Sequence, residues 1–538
     1  MNFEQPVWLP HLNGTIVSEA LGHELCAYVV ALEGWRRGLT LNWYTKDAET
    51  FQKMETWHVD APGKLFSLTS KEKTHYFFRT RGDKVSNEAV RIGADKEKTK
   101  KLLAEAGVSV PDGSRFSDDA RDEEVIDYAS AIGFPVVLKP TEGSFGKGVI
   151  TNIQNKKELR KALKKVPHSN VLVERFISGE EYRLYVVGQK VVGAIHRIPA
   201  NVAGDGQTSI EALIDRKNKQ RQYNPRLISC PIQMDDEVID FVHAKGYKLE
   251  SIPKEGDRIF LREKSNISLG GDPVDVTDDL HPAVKQTAVH AVDAVPGLYH
   301  GGVDLIIDKN KPPEHAATII ELNPTAQIGS LLYPLKGHAR DIPAAIIDEY
   351  FPETKGNEKE KTSFYFGFDR VLEPLKNKSS TRTTVFPVQS RNVYAKKYTV
   401  SGQVQGVHYH RELREQALAA PLHGFINNLD NGNIEVVVAG TSQDLVDTFK
   451  ETLLRATDDV QVTDVCAENW VHPVKIGFDI QADPNKITDE ISKIEQEKAV
   501  MKKEKEKAER KYLQYQQSRS WKLTLPLRKA LNYMKRQS

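Results

Sequence analysis

The sequence predicts a multidomain protein of α/β and α+β class, and three observations lead there. The chain has 538 residues, whereas single hydrophobic cores rarely grow past roughly 250 to 300 residues. Strand-like and helix-like segments alternate from Asp95 to about Pro352. Nearer the C-terminal end, a segment reads strand, helix, strand, strand, helix, strand, the ferredoxin-like split order.

Residues 1–88 open with "SEALGHELCAYVVALEGWRRG", an amphipathic helix ended by Gly38, followed by the strand "LTLNWY". They form a small α/β unit. A larger α/β domain is expected over 89–352, with "DKEKTKKLLAEAG" helical and "PVVLKP" and "NVLVERF" as strands. The charged run "ETKGNEKEKTS" opens a linker over 353–390. Residues 391–474 hold the split pattern: strand "KKYTVSGQV", helix "RELREQALAA", strands "GFINNL" and "GNIEVVVAG", helix "SQDLVDTFKETLLRA" and strand "VQVTDVCAEN". In 475–538, Ile487, Ile491, Ile494, Lys498, Met501, Lys505, Ala508, Tyr512 and Tyr515 step by four and three, a coiled-coil-like seam carrying two lysines.

Composition excludes several classes. Lys+Arg 75 against Asp+Glu 74 leaves a net charge of +1, so no global field draws the chain to nucleic acid, and no nucleic-acid partner is expected. Cys26, Cys230 and Cys466 are far apart and odd in number, which fits neither a disulfide framework nor a zinc spacing. No apolar run approaches the ~18 residues that a membrane span needs, and "MNFEQPVWLPHLNG" has no basic-then-apolar signal profile. A cytoplasmic protein is expected.

Two stretches of the large domain carry chemistry. "LKPTEGSFGKGV" sets Lys139 at the end of a strand, then opens a loop with Gly143, Gly146 and Gly148. Glycines let backbone N–H groups approach an anion, and an adjoining lysine supplies a point charge for phosphates. The spacing of a Walker loop is absent. "GGVDLIID" and "TIIELNP" read as two strands joined by "KNKPPEHAA". Glu321 and Asn323 share a face of the pleat, and a loop centred near Pro312 and Pro313 sets Asp304 opposite Glu321. Such oxygen sets suit a hard cation such as magnesium.

Seven segments in order, from "GADKEKTKKLLAEAGVSVPDG" through "NVLVERFISGEEYRLYVV", "RIPANVAGDGQTSIEALI" and "LREKSNISLGGDPVDVTDDLHP" to "IIELNPTAQIG", resemble the ATP-grasp ligases. The cyanophycin synthetases and fused glutathione synthetases are similar over about residues 90 to 350. The resemblance implies an ATP-grasp fold with ATP and Mg²⁺ (or Mn²⁺) as cofactors. Lys96 and Lys139 resemble the nucleotide-binding lysines, and Gly143, Ser144, Gly146 and Gly148 the loop over the phosphates. Glu174, Arg175, Phe176 and Ile177 look like the hinge against adenine, and Glu181 like the ribose contact. Asp304, Glu321 and Asn323 match the metal ligands. Arg262, Arg197, Asn201 and Asn266 resemble positions that hold an acyl phosphate and the acceptor substrate, with Arg262 the first choice of arginine because a guanidinium stays cationic and grips phosphate at two points. The chain departs from cyanophycin synthetases in lacking a second ligase half with a Walker-type loop, so a single kind of amide or peptide bond is expected.

Near the end, "VSGQVQGVHYH" and "GFINNLDNG" resemble the two motifs of acylphosphatases. That resemblance makes Asn428 the water-orienting asparagine and puts His410 where the family has its phosphate-binding arginine. Arg411 comes one residue later, about 100° round a helix and so out of the loop. A neutral histidine holds phosphate poorly, so a degenerate domain that binds an acyl phosphate and hydrolyses it slowly is expected, with fusion raising the local concentration of such an intermediate. Finally, "SRSWKLTLPLRKALNYMKRQS" interleaves Arg519, Lys522, Arg528, Lys529, Lys535 and Arg536 with Trp521, Leu523, Leu525 and Leu527. It suits an anionic membrane surface, an acidic partner or docking within a homo-oligomer. It also resembles the tail of glycosyltransferases of bacterial surface polysaccharides, which points to envelope work and to the inner face of the membrane. The expected activity is an ATP-dependent carboxylate–amine ligase joining an amino acid or peptide to a carboxylate. An acylphosphatase-type hydrolase and a nucleotide-binding assembly factor for wall polymers stay open beside it.

Overall fold

A computed structural model describes residues 6–140, 148–165, 170–356, 364–387, 393–405, 407–455, 460–481 and 501. The chain divides into two units, Met1–Asn392 with His472–Ile476, and Val393–Val471 with Gly477–Ser538. The loop residues Gly143, Ser144 and Gly146, the coiled-coil seam apart from Met501, and the basic tail lie outside the described residues.

The first unit begins with helix Leu25–Arg36. Expected to be amphipathic, it is buried from Leu25 to Trp35, because neighbours cover it on more than one side. Gly34 leaves room for the Leu68 side chain of strand Leu65–Thr69, while Tyr28 and Trp35 meet the Phe366 ring edge-on. That ring belongs to the stretch expected as linker. Instead of a linker, residues 364–385 hold helix Phe368–Lys376, with Phe368, Leu372 and Leu375 buried, and strand Arg382–Val385, which pairs antiparallel with Thr40–Tyr44. The charges of 353–363 masked an aromatic cluster, Phe364, Phe366 and Phe368, with enough apolar area to be drawn into a core. The resulting sheet runs Arg382–Val385, Thr40–Tyr44, Leu65–Thr69, Thr74–Phe78, Arg81–Gly82.

Two further sheets follow. The four-stranded one orders Gly113–Phe116, Val171–Arg175, Val136–Pro140, Ile150–Ile153. The central one orders Asp272–Asp275, Lys190–Ile198, Glu180–Val187, His300–Ile307, Ala317–Asn323. Its pairings are all antiparallel. Period-two alternation sends Tyr182, Leu184, Val186, Val303 and Leu305 into one core together with Val284, Ala288 and Val292 of helix Pro282–Asp293. Each fully buried aliphatic side chain contributes roughly 1.5 to 3 kcal/mol. The residues between them, Glu181, Arg183 and Asp304, necessarily face the other way.

The second unit has strand order Gln461–Asn469, Tyr394–Gln403, Ile434–Gly440, His423–Asn428, the ferredoxin-like split expected from the sequence. Helices Val407–Ala419 and Gln443–Leu454 supply Leu413, Val446 and Phe449 to a core with Tyr398, Val400 and Val436. A fifth strand, Phe478–Ile480, adds parallel to His423–Asn428. Among the described residues no helix is long and apolar enough to cross a membrane.

Candidate active site

The hairpin His300–Ile307 and Ala317–Asn323 sets Asp304 opposite Glu321 and Gly302 opposite Asn323, the register expected from the prolines in its loop. A bulge makes this face possible. Leu305 pairs with Ile319 while Asp304 pairs with Glu321, so Ile320 is the extra residue. Strict alternation from Ile319 would send Glu321 into the core and Leu322 out. The bulge reverses the sense, so that Ile319 and Leu322 both join the core and Glu321 and Asn323 take the open face.

Asp304 is 2% exposed and lies among donors. Arg183 grips it at two points, Nε to Oδ1 at 2.6 Å and Nη2 to Oδ2 at 2.7 Å. Arg197 Nη1 donates to Oδ2 at 3.1 Å, and Asn323 Nδ2 to the same oxygen at 3.5 Å. Burial opposes ionisation of Asp304, but the two guanidinium groups override it and hold its carboxyl below the ordinary range. Glu321 moves the other way, raised by burial and then by the charge on Asp304. Among the described residues its carboxylate has no hydrogen bond or ion pair. Two carboxylates and an amide oxygen, one carboxylate unengaged, fit a magnesium ion, which takes one or two carboxylates and completes its shell with water and phosphate.

Arg197 Nη1 also donates to Glu181 Oε1 at 2.6 Å, and Ser265 gives its hydroxyl hydrogen to the other oxygen of Glu181. Glu181, expected against a ribose, is thus the counter-ion of Arg197. The Nε of Arg197 is buried and has no hydrogen-bond partner.

In the four-stranded sheet, Lys139 ends strand Val136–Pro140 and forms an ion pair with Glu174. Lys100 holds the second oxygen of that carboxylate at 3.0 Å. Burial pushes Glu174 up, yet Lys139 and Lys100 together bring its carboxyl below the usual range. The Glu174 side chain therefore tethers Lys139. Its neighbour Arg175 donates to the Ile132 carbonyl, and Phe176 N donates to Pro135 O at 2.9 Å. Phe176 and Ile177, both half-buried, begin the passage from the four-stranded sheet to the central one. Lys96 opens helix Lys96–Glu105 and faces Glu321 closely enough to oppose the rise in its pKa.

Other candidates are engaged elsewhere. Arg262, 1% exposed, donates to Asp235 and to Glu237, both at 2.5 Å. Asn201 donates to Asp272 Oδ2 at 2.9 Å, an oxygen that also takes Lys217. Asn266 caps the short 3₁₀ turn Ile267–Leu269 without a side-chain bond. Sequence reasoning missed Arg183, Lys100 and Ser265. Arg183 lies two residues past Glu181 and shares its face of the pleat, and Lys100 lies one helical turn past Lys96, so the periodicities that located the others pointed to both.

In the second unit His410 lies in the first turn of helix Val407–Ala419 and is 5% exposed. Burial lowers its pKa, while a hydrogen bond with the Val404 backbone works the other way. Its Nε2, like Oδ1 of Asn428, is buried without a partner. Gln405 Nε2 pins the loop to the Leu429 and Asn433 carbonyls at 2.8 and 3.0 Å. Arg411 is exposed, so it turns away from His410.

Residues 93–211 match the family described as RimK-like ATP-grasp domain, and residues 396–480 match the acylphosphatase family. The chain carries both domains. The first region extends into longer similarity. A Clostridium perfringens protein named "Glutathione biosynthesis bifunctional protein GshAB" is 33% identical over 339 residues, 61% of this chain and 41% of that protein. A cyanophycin synthetase of Trichormus variabilis is 34% identical over 282 residues, 51% of this chain and 31% of its own length. The chain thus spans less than half of each of these relatives. Among solved structures, a bifunctional glutathione synthetase from Pasteurella multocida is 30% identical, covering 54% of this chain and 41% of that one with a TM-score of 0.43.

Proposed function

We propose that the chain is an ATP- and Mg²⁺-dependent carboxylate–amine ligase working through an acyl phosphate. The observation that carries the reading is the open face of the bulged hairpin, where Asp304, Glu321 and Asn323 gather oxygen ligands beside Arg183 and Arg197. Asp304, Glu321 and Asn323 would hold the magnesium ion, which when bound neutralises charge on the transferring phosphoryl group.

The protein's own part is alignment and charge. Lys139 supplies an ammonium for phosphate oxygens, and its ion pair with Glu174 holds it in place. Arg197, which bonds the metal-ligand candidate Asp304, takes the role of phosphoryl-gripping guanidinium in preference to Arg262, whose partners Asp235 and Glu237 are not among those ligands. A carboxylate oxygen of the acid substrate attacks the γ-phosphorus, ADP leaves, and an acyl phosphate forms. The amine nitrogen then attacks the acyl carbon, inorganic phosphate leaves, and the nitrogen loses a proton. Arg183 keeps Asp304 ionised through the cycle.

ADP release on addition of amino acids and small carboxylates, with mass spectrometry of the products, tests this. A ligase gives ADP only with the right pair and a product lighter by one water than the two substrates together. A hydrolase or a silent assembly factor gives no such dependence. Envelope localisation of the product rests on the basic, apolar-interleaved residues 519–536, and the second domain is read as an acyl-phosphate-binding module of low turnover because His410 is buried and held toward its neutral form.

A further inference from the structure

The second unit holds a phosphate cradle without its arginine, and the groups around that gap have a chemistry of their own. Helix Val407–Ala419 begins beside the loop that leaves strand Tyr394–Gln403. The amides of His408 and Tyr409, in its first turn, lack a carbonyl partner within the helix, and with the helix dipole they favour an anion. Gln405 Nε2 fastens the loop to the Leu429 and Asn433 carbonyls, which sets it beside Asn428, the last residue of strand His423–Asn428. Asn428 shares the parity of Ile426, a core residue packed with Tyr409 and Leu413 of the helix. Its side chain therefore lies on the helix-bearing face, at the cradle.

The two side chains at this place are both acceptors. His410 is 5% exposed, and its ring donates to the Val404 backbone carbonyl at the start of the loop, so the ring is turned into the cradle rather than along the helix. Nε2 has no protein partner. The donor is then Nδ1–H, and Nε2 of the neutral ring presents a lone pair. Oδ1 of Asn428 is likewise buried and unpartnered. Among the described residues no cation contributes to the ring's pKa, which burial and the Val404 bond move, and Arg411 is exposed. A phosphoryl dianion resting on the helix amides would thus have no counter-charge beside it, and two buried acceptors would stay unpaired, each at a cost. A single kind of ligand answers both deficits. An ammonium offers several N–H donors and no acceptor, and one tethered to the phosphoryl group brings the missing positive charge with it.

We infer that the second unit binds an acyl phosphate whose acyl group carries a protonated amine, an aminoacyl phosphate, with the phosphoryl group on the helix amides and the ammonium between Nε2 of His410 and Oδ1 of Asn428. This rests on the reading of that unit as an acyl-phosphate-binding module and names its ligand. The histidine changes which ligand is preferred rather than merely weakening the cradle: an arginine there repels an ammonium, and a neutral acceptor receives it.

The test is calorimetric titration of the full chain with aminopropylphosphonate, its amine on the terminal carbon, beside propylphosphonate and propylamine. In the first compound methylenes replace the carbonyl and the bridging oxygen of an aminoacyl phosphate, so it cannot be hydrolysed. The expected result is that it binds at least about tenfold more tightly than propylphosphonate, the size of one charge-assisted hydrogen bond, with propylamine weakest. Asn428→Ala should remove the preference. His410→Arg should reverse it and bind propylphosphonate more tightly than the wild type does, a gain that a misfolded domain cannot give and that binding in the first unit would not show. Equal affinity for the two phosphonates, or a preference that neither substitution changes, overturns the ammonium subsite. Equal affinity that His410→Arg raises for both phosphonates removes the subsite and leaves the acyl-phosphate module. Propylamine binding as tightly as aminopropylphosphonate removes both, since the phosphoryl group then contributes nothing.

Discussion

Asp304 is held by two guanidinium groups, and Arg183 is the stronger of its partners by geometry. Removing one member of a buried pair leaves an uncompensated charge and costs about 3 to 5 kcal/mol. Arg183→Leu should lower denaturant stability by that order, and adding Asp304→Asn should restore much of it. Equal losses in the single and double variants would show that Arg183 acts through packing alone. His300 gives a pH signature. It sits between the Tyr185 and Tyr350 hydroxyls, both at 3.1 Å, and burial, with Lys84 and Arg81 adding, brings its pKa down to about 3. The folded state keeps this ring neutral, whereas the unfolded chain takes up the proton near pH 6.5. Its contribution to stability is therefore complete above that pH and is lost as pH falls toward 3, roughly 2 kcal/mol by pH 5. Unfolding midpoints of the unit containing His300, followed from pH 7 to 5, should fall more steeply in the wild type than in His300→Asn. In the second unit, His410→Arg restores a permanent cation at a buried position whose Nε2 now has no partner. It should raise benzoyl phosphate hydrolysis by the full chain by at least about tenfold, since charged hydrogen bonds to phosphate are roughly twice as strong as neutral ones. No change would mean that the cradle fails for another reason.

At the scale of elements, the hairpin does most of the positioning. A bulge at Ile320 lets one short strand feed both a core and a site, and Gly302 lets the following turn close onto the same face. Gly302→Val should abolish ligase turnover while the core under the sheet survives, read as lost ADP release with an unchanged far-ultraviolet spectrum. The hairpin and its register were legible because two apolar runs flank a proline loop and Glu321 and Asn323 share one parity. The bulge was not, since nothing in "TIIELN" marks which isoleucine is surplus until the core accepts Ile319 and Leu322. Long-range pairing hid other features. Lys100 with Glu174, from a helix to a strand, and Arg197 with Glu181, from one strand to the next, are side-chain choices made between separate elements. Asn201 and Arg262 looked available in the sequence, yet Asp272, Asp235 and Glu237 engage them.

At the scale of the molecule, local pattern succeeded where periodicity was clean and failed where charge obscured apolar content. The split order of 391–474 was readable strand by strand, but the late strand Phe478–Ile480 was too short to stand out. Residues 364–385 were misread as linker because lysines and glutamates precede the aromatics that fold back onto helix Leu25–Arg36. The first unit consequently gathers the N-terminal elements and the ATP-grasp sheets into one body. The central claim is that this body energises an acid by phosphorylating it. An acid that supports ADP release, labelled with oxygen-18 in its carboxylate, tests that most directly. The account predicts transfer of one labelled oxygen to the released phosphate, abolished in Asp304→Asn. Phosphate that carries no label while amide accumulates would contradict it.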